Sequence, residues 1–120
     1  MAVHGLERTG YIDKTGNLAR KRQPDSPIRI AKEIDQVHVN TTAACVISDE
    51  VWQRRITIRK TGSSSAVVWN PWIEKTASLQ DMGPDEWISM ICVETANAGE
   101  NAVMLASGGV HRMAATISVE

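Results

Sequence analysis

Val51-Trp52-Gln53-Arg54-Arg55-Ile56-Thr57-Ile58-Arg59, then Thr61-Gly62-Ser63-Ser64-Ser65, then Ala66-Val67-Val68-Trp69 decides the fold. The first run alternates, which predicts a strand from Val51 to Arg59 with Trp52, Ile56 and Ile58 on one face and Gln53, Arg55 and Thr57 on the other. The Gly-Ser cluster is a turn, and Ala66–Trp69 is the next strand. Working upstream, Ser48-Asp49-Glu50 is expected as a hairpin turn, with short strands at 28–30, 36–41 and 44–47. The first 27 residues are polar and broken by Lys14-Thr15-Gly16-Asn17 and Gln23-Pro24-Asp25-Ser26-Pro27, so they are expected to be mostly loop. Downstream, a helix is predicted over 73–80 and a helical turn from Pro84, followed by strands at 91–95, 102–105 and 113–119. In the last strand Met113, Ala115, Ile117 and Val119 are expected on a buried face and Ala114, Thr116 and Ser118 on a polar one. The predicted class is all-β, an antiparallel sandwich with one or two short helices.

The chain has 120 residues, enough for one domain that buries roughly two-thirds of its unfolded surface. With 13 basic and 14 acidic residues the net charge is −1, so no global field draws it to nucleic acid or to an anionic membrane. Cys45 and Cys92 lie in apolar runs without metal-ligand spacing; they are read as buried free thiols of a reducing compartment, with a disulfide between them as the alternative. No run approaches membrane-spanning length and no leader-like start is present, which leads to the expectation of a soluble, cytoplasmic protein. No cofactor or metal is expected.

Chemistry centres on Glu94, near the end of the apolar run Met90-Ile91-Cys92-Val93-Glu94-Thr95. A carboxylate ending such a strand either pairs within the fold, with Arg54 or Arg55 for example, or faces a ligand. Trp69 and Trp72, in Val67-Val68-Trp69-Asn70-Pro71-Trp72, are either core anchors or flat surfaces for a sugar ring. Arg20, Lys21 and Arg22 form a basic trio in a predicted loop, a solvated face or a phosphate-holding one. His4, His38 and His111 are read as structural or solvent-facing.

The order Tyr11-Ile12-Asp13-Lys14, Ile28-Arg29-Ile30-Ala31-Lys32-Glu33-Ile34-Asp35, Val67 to Trp72, Asp81-Met82-Gly83 and Cys92-Val93-Glu94-Thr95 resembles the C-terminal part of the hexose-6-phosphate mutarotases, in the aldose 1-epimerase family. The resemblance implies part of a galactose-mutarotase-like β-supersandwich and interconversion of sugar-phosphate anomers. In that reaction a base takes the anomeric hydroxyl proton while an acid protonates the ring oxygen. By motif match Glu94 resembles the family's catalytic base, and Asp35 a carboxylate that orients the substrate, with Trp69 and Trp72 as further substrate-binding candidates. The family's histidine acid and phosphate-binding arginines come from a preceding half absent from this chain. Three positions depart from the family: Gln36 stands where an arginine is usual, His38 where an aromatic is usual, and Lys32 where a small residue is usual.

What the resemblance implies is therefore a single partial mutarotase-like domain over residues 1–120, binding a hexose or hexose phosphate at an incomplete epimerase site. Missing partners for sheet edges and an apolar face imply a homo-oligomer, most simply a dimer. Two alternatives remain open: an active hexose-6-phosphate 1-epimerase completed by a second subunit that supplies His38 or His111, and a protein–protein interaction module without sugar binding.

Overall fold

The structure, a computed structural model, describes all of residues 1–120. Ten strands run in chain order: β1 Ala2–His4, β2 Gly10–Asp13, β3 Ala19–Arg22, β4 Ile28–Arg29, β5 Ile34–His38, β6 Cys45–Asp49, β7 Arg54–Thr61, β8 Ser65–Asn70, β9 Cys92–Ala96 and β10 Ala114–Val119. One helix, α1 (Trp72–Ser78), and 3-10 turns at Glu86–Ser89 and Gly99–Asn101 interrupt them. The strands form two five-stranded antiparallel sheets, ordered β10-β7-β6-β1-β4 and β3-β2-β5-β8-β9. No helix is long and apolar enough to cross a membrane.

The core lies between the sheets. Val3, Ile28, Cys45, Ile47 and Ile58 of the first sheet meet Ile34, Ala66 and Val68 of the second, with Leu6 filling between them. Because side chains alternate along a strand, the residues between these face away from the core. The second sheet therefore has a distinct outer face.

Several expectations are refined or corrected. Residues 1–27, predicted to be mostly loop, are turn and loop over most of their length but also contribute three short strands that local pattern did not show, β1, β2 and β3. Asp13 explains the β2–β3 hairpin: its Oδ1 accepts the backbone N–H of Thr15 and Gly16 and the Thr15 hydroxyl, and Lys21 Nζ sits 2.6 Å from Oδ2. The Lys21 ammonium first, and the Thr15 hydroxyl after it, hold the Asp13 carboxyl at about 2. The basic trio Arg20-Lys21-Arg22 is thus a strand, not a loop.

Trp52 is not on β7. Asp49 Oδ1 accepts the N–H of Val51 and Trp52 while its Oδ2 takes the Arg54 Nε–H, so the turn spans Glu50–Gln53 and Trp52 stands exposed on it. Residues 102–105 form no strand.

β10 forms as expected, but Ala115, Ile117 and Val119 are exposed rather than buried. Ile117 lies opposite Ile58 and Val119 opposite Ile56, so the row does face inward, and yet Ile117 remains 66% and Val119 62% exposed. The cause is position: β10 is the sheet's terminal strand and overhangs beyond the cover of the second sheet.

Candidate functional site

The second sheet's outer face collects the candidate residues in two adjacent rows. Strand register sets Arg20, Ile12, Val37, Val67 and Glu94 side by side across β3, β2, β5, β8 and β9. The next row holds Asp35, Trp69 and Cys92. Lys14 lies beyond the end of β2, its backbone N–H donating to the Asp35 carbonyl at 2.9 Å. Two strand spacings and two residues separate Asp35 from Glu94, about 12 Å between Cα atoms. Glu94, Asp35 and Trp69 thus share one surface.

Their chemical settings differ. Glu94 is exposed and makes none of the chain's eight side-chain ion pairs, so the internal pairing with Arg54 or Arg55 does not occur; Arg54 is held by Asp49. Cys92, two residues along the same face, has its thiol pKa pushed up by burial and further by the Glu94 charge. Asp35 is largely covered and faces Lys14 Nζ at 3.3 Å. Trp69 is half-buried beside both. Trp72, by contrast, lies past the end of β8, its N–H bonded to Asn70 Oδ1, and packs on Trp87 at 4.4 Å between ring centroids. It serves as a packing anchor away from the rows.

Beyond Asp35 on the same face lies an open hollow of about 450 Å³ with Ile12, Leu18, Val37, Ala98 and Gly99 on its walls. Lys14 and Arg20 stand at its rim, and Arg20 is paired with Glu100. Sequence reasoning missed this grouping of Lys14, Arg20 and Glu100. Only strand register and the path of the 3-10 turn at Gly99–Asn101 bring residues 80 positions apart together.

No histidine occupies this face. His38 is fully buried on the opposite face, with Nδ1 2.6 Å from Thr9 Oγ1 and Nε2 3.2 Å from the Gln36 side-chain amide. Burial drives its pKa down to about 4 and keeps it neutral. A site completed across an interface by His38 is therefore ruled out by burial. His111 Nε2 lies 2.8 Å from the Gly62 carbonyl oxygen, to which it can only donate, with Asn97 Nδ2 at 3.2 Å. His4, on β1 of the other sheet, contacts Ser48 Oγ at 3.1 Å. Cys45 and Cys92 are free thiols, so the disulfide alternative falls, and Cys92 is only partly buried. No group of three or more His, Cys, Asp or Glu residues is arranged to hold a metal ion.

What such a face can do is limited and specific. Two carboxylates can accept hydrogen bonds from hydroxyls, an indole can cover an apolar ring face, and two cations stand within the same surface. No histidine stands opposite Glu94 on it.

Comparison with known proteins agrees with this geometry. The family profile described as Aldose 1-epimerase matches residues 3–118. A Cenchrus ciliaris protein provisionally named glucose-6-phosphate 1-epimerase is 34% identical over 106 residues, covering 88% of this chain and 32% of its own length. An Escherichia coli K12 protein of the same provisional name is 31% identical over 90 residues, covering 75% of this chain and 31% of that one. Among solved structures, YeaD from Salmonella typhimurium, provisionally described as a mutarotase, superposes with a TM-score of 0.81 at 29% identity. The match covers 98% of this chain and 39% of YeaD. HI1317 superposes with a TM-score of 0.78 at 26% identity, covering 99% and 40%. The chain spans about a third of the length of the curated relatives it matches.

Proposed function

The chain belongs to the aldose 1-epimerase family, and from that membership we propose that it is a mutarotase-like module that binds a hexose or hexose phosphate on the outer face of its second sheet, at an incomplete epimerase site. One observation supports this above the rest: Glu94 is exposed and free of any ion pair on the same face as Asp35 and Trp69. A strand carboxylate with no internal partner is available to a ligand. In this proposal Glu94 accepts the anomeric hydroxyl, Asp35 accepts a ring hydroxyl in an orientation fixed by Lys14, and Trp69 covers the apolar face of the sugar. Trp72 supports the end of β8 by packing on Trp87 and does not touch the ligand.

The chain alone is proposed to be non-catalytic, because opening the ring needs an acid opposite the base and no histidine stands on this face to serve as one. It also includes self-association as a dimer and a cytoplasmic location. The uncovered apolar row on β10 supports the first, and the two free thiols the second.

Calorimetric titration with glucose 6-phosphate tests the binding claim. Millimolar or tighter binding to the native chain, weakened about tenfold or more by Glu94→Gln and by Asp35→Asn, is the expected result. No heat of binding at millimolar ligand, or equal binding by all three proteins, would overturn it. A polarimetric assay on the same samples should show anomer exchange at the buffer rate; acceleration abolished by Glu94→Gln would establish an enzyme instead.

A further inference from the structure

Of the four sheet edges, three are blunted. β3 carries Arg20, Lys21 and Arg22; β4 has two residues after Pro27; and β9 has Glu94 at its centre. Such features discourage edge pairing. β10, Ala114-Ala115-Thr116-Ile117-Ser118-Val119, has neither charge nor proline and overhangs the sandwich with its apolar row exposed.

We propose that a second copy of this chain adds antiparallel to β10 about a two-fold axis at Thr116, joining the two first sheets into one ten-stranded sheet. This specifies the self-association proposed above and rests on it. The backbone sets the possible registers. Glu120 and Arg55 exchange both N–H and C=O bonds, so Ser118, Thr116 and Ala114 bond toward β7, while Ala115, Ile117 and Val119 aim their backbone groups outward. A partner strand must pair its outward residues with these.

Centring the axis on Thr116 satisfies that rule and matches every side chain. On the apolar face Met113 meets Val119 of the second copy, and Ala115 meets its Ile117. On the other face Thr116 meets Thr116, Ala114 meets Ser118, and Arg112 meets Glu120. Neither Arg112 nor Glu120 takes part in any of the chain's eight ion pairs, so each end of the seam gains one charge-complementary pair. A parallel copy in register would set Arg112 beside Arg112 and Glu120 beside Glu120. The axis relates the two copies so that their overhanging rows lie on the same side of the joined sheet, where each covers part of the other.

The test combines sedimentation with cross-linking on the whole chain. In a Cys92→Ser background, Thr116→Cys should form a disulfide-linked dimer on mild oxidation, because opposed residues at a non-hydrogen-bonded position have Cα atoms about 4.5 Å apart. Ser118→Cys should not, since it faces Ala114. Arg112→Glu should weaken dimerisation roughly tenfold by making both end pairs repulsive, and adding Glu120→Arg should restore it. A sedimenting dimer that Thr116→Cys fails to link, or that Arg112→Glu leaves unaffected, would overturn this seam while leaving self-association standing. A monomer at concentrations of about 100 μM, with no cross-link, would overturn both. Glucose 6-phosphate binding is read separately, so neither outcome is confused with failure of the sugar site.

Discussion

Acidification should destabilise this protein between pH 6.5 and 4 through His38. The ring is fully buried, its nitrogens are engaged by Thr9 and the Gln36 amide, Tyr11 lies 5.1 Å away, and burial lowers its pKa from the ordinary 6.5 to about 4. The unfolded chain therefore takes up this proton at a higher pH than the folded one. The stabilisation is complete above pH 6.5 and is lost as pH falls through the window to about 4. At about 1.4 kcal/mol per pH unit, the loss is about 3 kcal/mol, a large share of a typical domain's 5–15 kcal/mol. The lowered buried carboxylates act mostly below this window: Asp13, held at about 2 by Lys21, and Asp49, also lowered, lose their contributions as pH falls through the ordinary carboxylate value of 3.8 and below. Urea unfolding at half-unit steps from pH 7 to 4.5 should show stability falling with the slope approaching one proton, and His38→Asn should flatten that slope whatever its absolute stability. A flat native profile, or a slope unchanged in His38→Asn, would show that His38 does not set this pH dependence.

Asn70→Ala should cost about 3 kcal/mol. The fully buried side chain bonds the Trp87 and Met90 carbonyls, each at 2.9 Å, and the Trp72 N–H at 2.8 Å, and alanine leaves all three unpaired. Its midpoint in urea, with Trp72 and Trp87 fluorescence as the probe, checks this. Gly5→Ala should be at least as damaging, because Gly5 has a φ of +95° and an added Cβ would lie 2.1 Å from the Ala44 carbonyl oxygen. Thermal melting should show a drop of more than about 10 °C. Lys14→Ala should change stability by less than about 1 kcal/mol, since its pair with Asp35 is half exposed, yet weaken glucose 6-phosphate binding measured by calorimetry.

The sequence displayed the fold class where strands alternate around a covered face, as β7 does, or run apolar between turn residues, as β8 does, and it brought Asp35, Trp69 and Glu94 forward by family motif. It concealed what depends on distant parts of the chain. β3 is Ala-Arg-Lys-Arg, exposed at every position, so no apolar alternation marks it; it exists because it pairs with β2, anchored through Asp13 and Lys21. Trp52 looked like a strand residue because local pattern could not show that Asp49 captures the turn's N–H groups. β10 shows the reverse limit: alternation correctly placed Ile117 and Val119 on the inward side, but burial also needs something opposite, and strand order decides that. His38 illustrates the same gap, since the sequence left it as either structural or solvent-facing and only packing revealed that it is sealed in the core.

The outer face built on Glu94, Asp35 and Trp69 is the proposed sugar-binding surface. Amide chemical-shift mapping during a glucose 6-phosphate titration tests it most directly. Saturable shifts confined to β5, β8 and β9 around residues 35, 69 and 94, absent in Glu94→Gln, are predicted. Shifts scattered over the first sheet, or none at millimolar ligand, would contradict it.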